Sequence, residues 1–312
     1  MEYVELGNSG IVVSKLCFGS LTVGPMQANH PIEDGAEIIS YAFSRGINFI
    51  DTAQYYDNYK YIKLTDDIVI SSKTYAYSRE QAVKAVEQAR RELNRDYVDI
   101  FMLHEQESIH TLQGHMEALE YLFEAKAKGI IRAVGVSMHH IAAVDGVCEL
   151  KKRGCPIDCI HPIYNMLGIG IADGTAEDMA CTLNKAKDLG IGIFSMKPLA
   201  GGHLYNKPHE AFDFVLAFDA IASVAVGMQS IAEVDANINY FETRDKTAFD
   251  NLNKTKRRLF IEPQCSGCGN CIKRCGQNAL QIKNGQVHVD HDRCVLCGYC
   301  VKVCELFAIK VL

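Results

Sequence analysis

The sequence predicts an α/β protein: a parallel (β/α)8 barrel with an N-terminal β-hairpin, followed by a small C-terminal domain built on cysteines. Three observations predict it. Short apolar runs rich in Ile and Val alternate with longer stretches of helical period across about 260 residues. Most of those runs end on a polar or charged residue. Eight of the 13 cysteines fall within residues 262–312.

The start reads as a hairpin, since two β-type runs, Tyr3–Leu6 and Ile11–Val13, flank the turn Asn8-Ser9-Gly10. Strands are then expected at Lys15–Phe18, Ile47–Ile50, Ile68–Ser71, Val98–Leu103, Ile131–Val136, Cys159–Tyr164, Ile191–Ser195 and Ser223–Val226. Helices fall between them. The clearest is Arg79–Leu93, where Ala82, Val83, Val86, Ala89, Arg90 and Leu93 recur at helical spacing, and Gly46, Gly129, Gly154 and Gly190 read as helix stops. Eight such units in this length match a barrel in count and size. An open doubly wound sheet has the same rhythm, but Phe18-Gly19-Ser20-Leu21-Thr22-Val23-Gly24 lacks the G-x-G-x-x-G that would favour it. The barrel is expected over residues 1–240 and the cysteine domain over 262–312. Between them a helical linker is expected over 241–261, because Phe249, Leu252, Leu259 and Phe260 need covering.

Composition narrows the class. An apolar share of 48% and a charged share of 22% exclude a disordered or collagen-like chain. A net charge of −6 provides no general attraction to nucleic acid or anionic membrane. No apolar run approaches the ~18 residues of a membrane span, and Met1–Gly10 has neither a basic nor an apolar leader region. A cytoplasmic protein is expected, with no nucleic-acid or membrane partner. In that compartment closely spaced cysteines are metal ligands rather than disulfides.

The strand ends point to chemistry. Asp51, Lys73, His104, Ser137, Asn165 and Lys197-Pro198 each follow an expected strand, and in a barrel these positions open onto one face. An Asp, a Lys, a His and several tyrosines at one mouth suit reduction of a carbonyl. An ammonium beside a Tyr favours the phenolate, and a carboxylate fixes the ammonium. Hydride must come from a cofactor, because no side chain carries one.

The segment Gly46-Ile47-Asn48-Phe49-Ile50-Asp51-Thr52-Ala53-Gln54-Tyr55-Tyr56 resembles the aldo-keto reductase motif of an Asp and a Tyr five residues later. Ile70-Ser71-Ser72-Lys73-Thr74 resembles that family's lysine strand, and Asp99–His104 its histidine strand. The resemblance covers roughly residues 3–240 and implies a TIM barrel. It also implies Tyr56 as general acid, Lys73 as its tuning group, Asp51 as partner of Lys73, and His104 as the carbonyl orienter. Tyr55 and Tyr59 offer the same chemistry; the spacing from Asp51 selects Tyr56. For NADP or NAD it implies contacts from Gly19, Ser20, Ser137, Asn165, Lys197, Pro198, Leu199, Gly201, Gly227, Gln229 and Asn237. Lys197 reads equally well as a loop residue.

The sequence also departs from the family pattern. Met138 and His161 stand where relatives carry the Asn and Gln that grip the nicotinamide carboxamide, and Met196 where an aromatic stacks on the ring. Glu233 lies near the place of an Arg for the NADP 2′-phosphate, which a carboxylate repels unless a nearby Lys or Arg compensates. Only 16 residues separate Tyr56 from Lys73, so the second helix is curtailed. His110, His115, His139 and His140 read as solvated residues, and Cys17, Cys148, Cys155, Cys159 and Cys181 as core or half-buried thiols.

The tail reads Cys265-x2-Cys268-x2-Cys271-x3-Cys275 and then Cys294-x2-Cys297-x2-Cys300-x3-Cys304. This duplicated spacing resembles that of bacterial two-cluster ferredoxins, small α+β domains that hold two [4Fe–4S] clusters. The resemblance implies that three cysteines of each motif wrap one cluster while the fourth reaches across to the other. Tetrahedral zinc does not suit a three-cysteine run followed by x3-Cys. Gly276 and Glu305 replace the proline that usually follows each fourth cysteine, which removes no ligand. A purely structural role for the clusters stays open, since so small a module has little core without metal.

Together these readings describe an NAD(P)-dependent iron–sulfur oxidoreductase that interconverts a carbonyl and an alcohol of small size. Nicotinamide moves two electrons as hydride, whereas each cluster passes one. A second reading therefore gives the barrel a flavin or an acceptor substrate fed by the clusters from a redox protein partner. A third is a non-enzymatic redox sensor or docking protein, against which the intact Asp51–Tyr56–Lys73–His104 set argues.

Overall fold

The structure, a computed structural model, describes residues 1–250, 252 and 257–312. Strands β1 (Tyr3–Glu5) and β2 (Val12–Ser14) pair antiparallel as the hairpin. Eight parallel strands then close a barrel: β3 (Leu16–Gly19), β4 (Phe49–Asp51), β5 (Val69–Thr74), β6 (Val98–Gln106), β7 (Ile131–Met138), β8 (Cys159–Pro162), β9 (Gly192–Met196) and β10 (Ser223–Gly227). All eight overlap the expected runs, and the pairing of β10 with β3 disposes of the open sheet.

The outer layer contains α1 (Ile32–Ser44), α2 (Arg79–Glu92), α3 (Ile109–Gly114), α4 (Met116–Ala127), α5 (Ile141–Lys152), α6 (Ala176–Asp188), α7 (Pro208–Leu216) and α8 (Ile231–Thr243). In α2, Ser78 and Gln81 form a reciprocal capping box, and Ala82, Ala85, Val86 and Ala89 face the core. Between β4 and β5 the short chain forms only two 3-10 turns, Gln54–Tyr56 and Tyr59–Tyr61. Among the described residues no helix is long and apolar enough to cross a membrane.

The hairpin closes one end of the barrel. Its Leu6, Ile11 and Val13 pack under Cys17, Phe49, Ile100, Met102 and Phe194, and the Phe49 and Phe194 rings lie 5.0 Å apart. Asp51, Lys73, His104 and His161 lie toward the opposite, C-terminal end of their strands. Cys17, Cys148 and Cys159 are buried and Cys155 is partly so, whereas Cys181, on the outer α6, is exposed.

The linker is less helical than expected. α8 ends at Thr243, and Lys246–Phe249 is a 3-10 turn that seats Phe249 against Phe212 and Tyr240. Leu259–Ile261 is a strand, β11, because it finds a partner at the far end of the tail. Residues 251 and 253–256 of the expected helix lie outside the described residues. The tail continues through α9 (Asn270–Arg274), β12 (Leu280–Lys283), β13 (Gln286–Val289) and β14 (Ile309–Val311). β12 pairs with β13 and β11 with β14, both antiparallel.

The tail is seated on the barrel. Val311 N donates to Gly201 O at 2.9 Å. A Cβ built on Gly202, whose φ is +87°, would lie 1.9 Å from Val311 O. Gly201-Gly202 is thus a socket for the tail, which accounts for these glycines without any ligand. Gly202→Ala is expected to lower stability by at least the ~1–2 kcal/mol of a left-handed non-glycine residue, read as a reduced urea midpoint.

Candidate active site

Asp51 ends β4 and Lys73 lies on β5, both at the open end of the barrel. Lys73 Nζ donates to both Asp51 oxygens at 2.7 Å and to Thr52 O at 2.8 Å, so its three protons are used. Ser71 Oγ adds a bond to Asp51 at 3.0 Å, and His161 Nε2 stands 3.5 Å from it. Burial alone would raise the Asp51 carboxyl. Lys73 and His161 outweigh that and hold it well below the usual carboxylate range.

Tyr56 comes from the 3-10 turn after β4. Asn58 braces this turn, accepting from Thr52 Oγ1 at 2.6 Å and donating to Ser20 O and Oγ at 2.9 Å. Lys73 Nζ lies 5.2 Å from the centre of the Tyr56 ring. Burial first, then Asp51 and Glu105, hold the phenol well above its ordinary value, so it stays protonated. Asp51 and Thr52 take the ammonium's three donors, so Lys73 stands beside the Tyr56 ring as a charge and makes no hydrogen bond to its hydroxyl. Tyr59 is bound to Ser72 at 2.5 Å and Tyr55 is exposed, which leaves Tyr56 as the tyrosine facing Asp51.

His104 sits on β6, where the register shifts between Leu103 and Gln106 and Glu105 takes φ +48°. Such a bulge re-aims a side chain at a barrel rim. The His104 ring lies 5.7 Å from Tyr56 and stacks on Tyr75 at 4.4 Å, and its buried Nδ1 has no partner. Burial, with Lys73 nearby, pushes the imidazole well below its ordinary value, so it is neutral near pH 7.

A groove runs from Asp51 and Tyr56 across the barrel rim. Of the expected cofactor contacts, Gly19, Lys197, Pro198, Leu199, Gly201, Gly227, Gln229 and Asn237 line it. Ser20, Ser137 and Asn165 do not, and their polar atoms are engaged elsewhere. Ser20 donates to Asp51 O, Ser137 accepts from Glu105 N, and Asn165 bonds Leu167 and Ile169 of its own loop. Asn237 Nδ2 donates to Glu233 O at 2.7 Å, while its buried Oδ1 has no partner.

Part of the wall comes from residues that sequence reasoning missed. Leu252, Arg257, Lys310, Val311 and Leu312 of the linker and tail line the groove. Lys310 is 4% exposed; its ammonium lies 3.2 Å from Glu262 and 3.4 Å from the centre of the Phe307 ring. Lys197 stands 5.0 Å from the centre of the same ring and donates to His139 Nε2 at 2.8 Å. Burial, reinforced by Lys197, pushes Lys310 down to about 7. His139 is therefore part of a packed charged cluster rather than a solvated loop residue. Only the run of polar residues after β7 and β9 hinted at this cluster.

The tail cysteines surround two cavities. Cys265, Cys268, Cys271 and Cys304 line one, and Cys275, Cys294, Cys297 and Cys300 the other. Each set takes three cysteines from one motif and the fourth from the other. Backbone amides also point at sulfur, with Ala279 N 3.3 Å from Cys275 Sγ and Ala308 N 3.3 Å from Cys304 Sγ.

Residues 15–214 match the aldo/keto reductase family. The chain belongs to that family. Residues 264–308 match the 4Fe-4S dicluster domain. L-galactose dehydrogenase of Arabidopsis thaliana is 24% identical over 310 residues, taking in 84% of this chain and 95% of that protein. Aldo-keto reductase YhdN of Bacillus subtilis is 26% identical over 235 residues, 69% of this chain and 67% of its own. The holo form of an aldo-keto reductase from Bacillus halodurans shares the fold, with a TM-score of 0.65 at 24% identity over 81% of this chain and 97% of that one. The protein is thus an aldo/keto reductase-family oxidoreductase with an iron–sulfur domain.

Two of this family member's departures acquire partners. His161 Nδ1 bonds Phe194 O at 2.7 Å and its ring stacks on Phe194 at 4.1 Å, so the ring is fixed against the barrel wall. Glu233 is paired with Arg257 at 2.6 Å and also accepts from Gln229 N at 2.7 Å. Arg257 is the compensating cation that the sequence left open.

Lys73→Met would leave Asp51 buried without its cation, a change that typically costs ~3–5 kcal/mol. The depressed Asp51 group stabilises the fold above its unfolded value of ~3.9, and that contribution fades as pH falls through the folded value. Urea titrations are therefore expected to show a large loss for Lys73→Met at pH 7 and a smaller one near pH 4, where the stranded carboxyl takes up a proton.

Proposed function

We propose that this oxidoreductase interconverts a small carbonyl and its alcohol with NAD(P)(H) in the barrel groove, and that its tail holds two [4Fe–4S] clusters. The observation that carries the first part is the convergence of Asp51, Lys73, Tyr56 and His104 beside a groove whose far end holds the unpartnered Asn237 Oδ1. That oxygen can accept from an amino group of a dinucleotide base, which is how the residues present fit such a cofactor. The nicotinamide supplies the hydride when bound. The chain's own residues do the rest. Tyr56, kept protonated by burial, gives its proton to the developing alkoxide. His104, neutral, donates a hydrogen bond that orients the carbonyl oxygen. Lys73, fixed by Asp51, places positive charge beside the Tyr56 ring and offsets the phenolate. The likeness to L-galactose dehydrogenase makes sugar-like alcohols the first class to assay.

Tyr56→Phe is expected to lower kcat by ~10²–10⁴ while iron content and dinucleotide affinity hold. Undiminished NAD(P)H-dependent carbonyl reduction in the iron-loaded variant overturns the assignment.

For the clusters, the support is the crossing of the fourth cysteines. Cys265, Cys268, Cys271 and Cys304 would hold one cluster and Cys275, Cys294, Cys297 and Cys300 the other, supplying one-electron transfer. Anaerobic purification is expected to give about eight iron atoms per chain. A flavin in place of nicotinamide is the second reading, favoured by the contact between tail and groove; a flavin chromophore released on denaturation would establish it.

Arg257 and Glu233 bear on the choice of dinucleotide. Removing Arg257 leaves the Glu233 carboxylate unpaired in the groove, where it repels a 2′-phosphate. Arg257→Ala is therefore expected to weaken NADPH binding more than NADH binding, as read by calorimetry.

A further inference from the structure

The barrel groove and one cysteine cavity share a wall. Ala308 and Ile309 line the cavity of Cys265, Cys268, Cys271 and Cys304, while Lys310, Val311 and Leu312 line the groove. The lining passes from cavity to groove between the adjacent residues Ile309 and Lys310 of β14, so one segment of chain borders both. The other cysteine cavity is lined, among the described residues, by the tail and β11 alone. One cavity is therefore inner and the other outer.

The two cysteine repeats differ where the inner one meets the barrel. Asn278 and Phe307 stand at matching places, three residues past the fourth cysteine of each motif, with φ of +49° and +47°. Asn adopts this left-handed conformation readily, whereas a bulky aromatic is strained there. The strained Phe307 is 2% exposed, and its ring lies close to both the Lys310 and the Lys197 ammonium groups. Gly170 and Gly201 make room for it: a Cβ on either would come within 3.2 Å or 3.0 Å of the ring. Strain at such a position persists only where the surrounding packing holds it, here Gly170 and Gly201.

We propose that Phe307 and Lys310 are positioning residues that couple the inner cysteine cavity to the barrel groove, so that electron occupancy on one side alters ligand affinity on the other. The inference rests on the reading of the tail as cluster-bearing and of the groove as dinucleotide-binding. A one-electron donor, dithionite in the test or a redox protein in the cell, adds one negative charge to the inner cavity and makes or breaks no bond. A dinucleotide brings its pyrophosphate charge to the groove. The two negative charges repel across a wall of buried side chains, Ile309, Lys310 and Val311. Dinucleotide binding then makes the inner centre harder to reduce, and by reciprocity reduction weakens dinucleotide binding by the same factor. Lys310 lies between them and favours negative charge on both sides.

The test uses the full chain, purified anaerobically with its iron. Dye-mediated titrations with dithionite, followed by electron paramagnetic resonance, give the midpoint potentials of both centres with and without saturating NADP⁺ or NAD⁺. One centre is expected to shift negative by a factor of about fivefold, or about 40 mV at 59 mV per tenfold, with the other unmoved. Phe307→Asn, which installs the residue of the first repeat and removes the ring packed on the Lys310 ammonium, is expected to retain its iron and to show a smaller shift. Lys310→Met is expected to lower the potential of the same centre and weaken dinucleotide binding together, and Lys310→Arg to restore both. Dinucleotide binding with both potentials unmoved overturns the coupling, as does an undiminished shift in Phe307→Asn. Failure to bind either dinucleotide, or a chain without iron, overturns the underlying reading and the coupling with it.

Discussion

The buried ion pair of Asp51 and Lys73 is the interaction on which the site depends. Two opposite charges taken out of water are tolerable only when their remaining hydrogen-bonding capacity is met. Here Thr52 O, Ser71 Oγ and the carboxylate itself meet it. The pair cannot form unless β4 and β5 are adjacent and parallel, with Asp51 level with Ser71. It therefore ties barrel register to site geometry. It also sets the electrostatics of its neighbours, since Asp51 bears on Tyr56 and both charges bear on His104 and His161.

The second constraint is topological. The barrel ends its polar strands on one face, and the hairpin closes the other with Leu6, Ile11 and Val13. Whatever covers the open face becomes part of the site. In this chain that cover includes the tail, held by Val311 at Gly201, by Arg257 at Glu233, and by Phe307 between Gly170 and Gly201. The oxidoreductase half and the iron–sulfur half are joined through a packed interface as well as by a linker.

Much of this was legible in the sequence because it is written in local patterns. The eight strands followed from apolar runs, Asp51, Lys73 and His104 from their places at strand ends, and the two cysteine motifs from spacing alone. What was not legible arises from packing between distant segments. Nothing near Phe307, Lys310 or Glu262 announces that they reach the barrel. His139 read as solvated because a histidine after a strand has no local mark of burial. Leu259–Ile261 is too short for periodicity to separate strand from helix. Ser20, Ser137 and Asn165 were expected from the resemblance as cofactor contacts, but neighbouring backbone groups engage those atoms. Gly201, expected as a cofactor contact, does line the groove, yet the space beside Gly201-Gly202 is shared with Val311, Lys310 and Phe307.

That shared space has a consequence for durability. With the proposed clusters in place, a tail of so few residues would owe its shape to them, and thiolate-bound iron and sulfide are open to attack by oxygen. The groove borrows Lys310, Val311 and Leu312 from that tail. Exposure to air would then act on the barrel at a distance, by loosening one side of its binding groove.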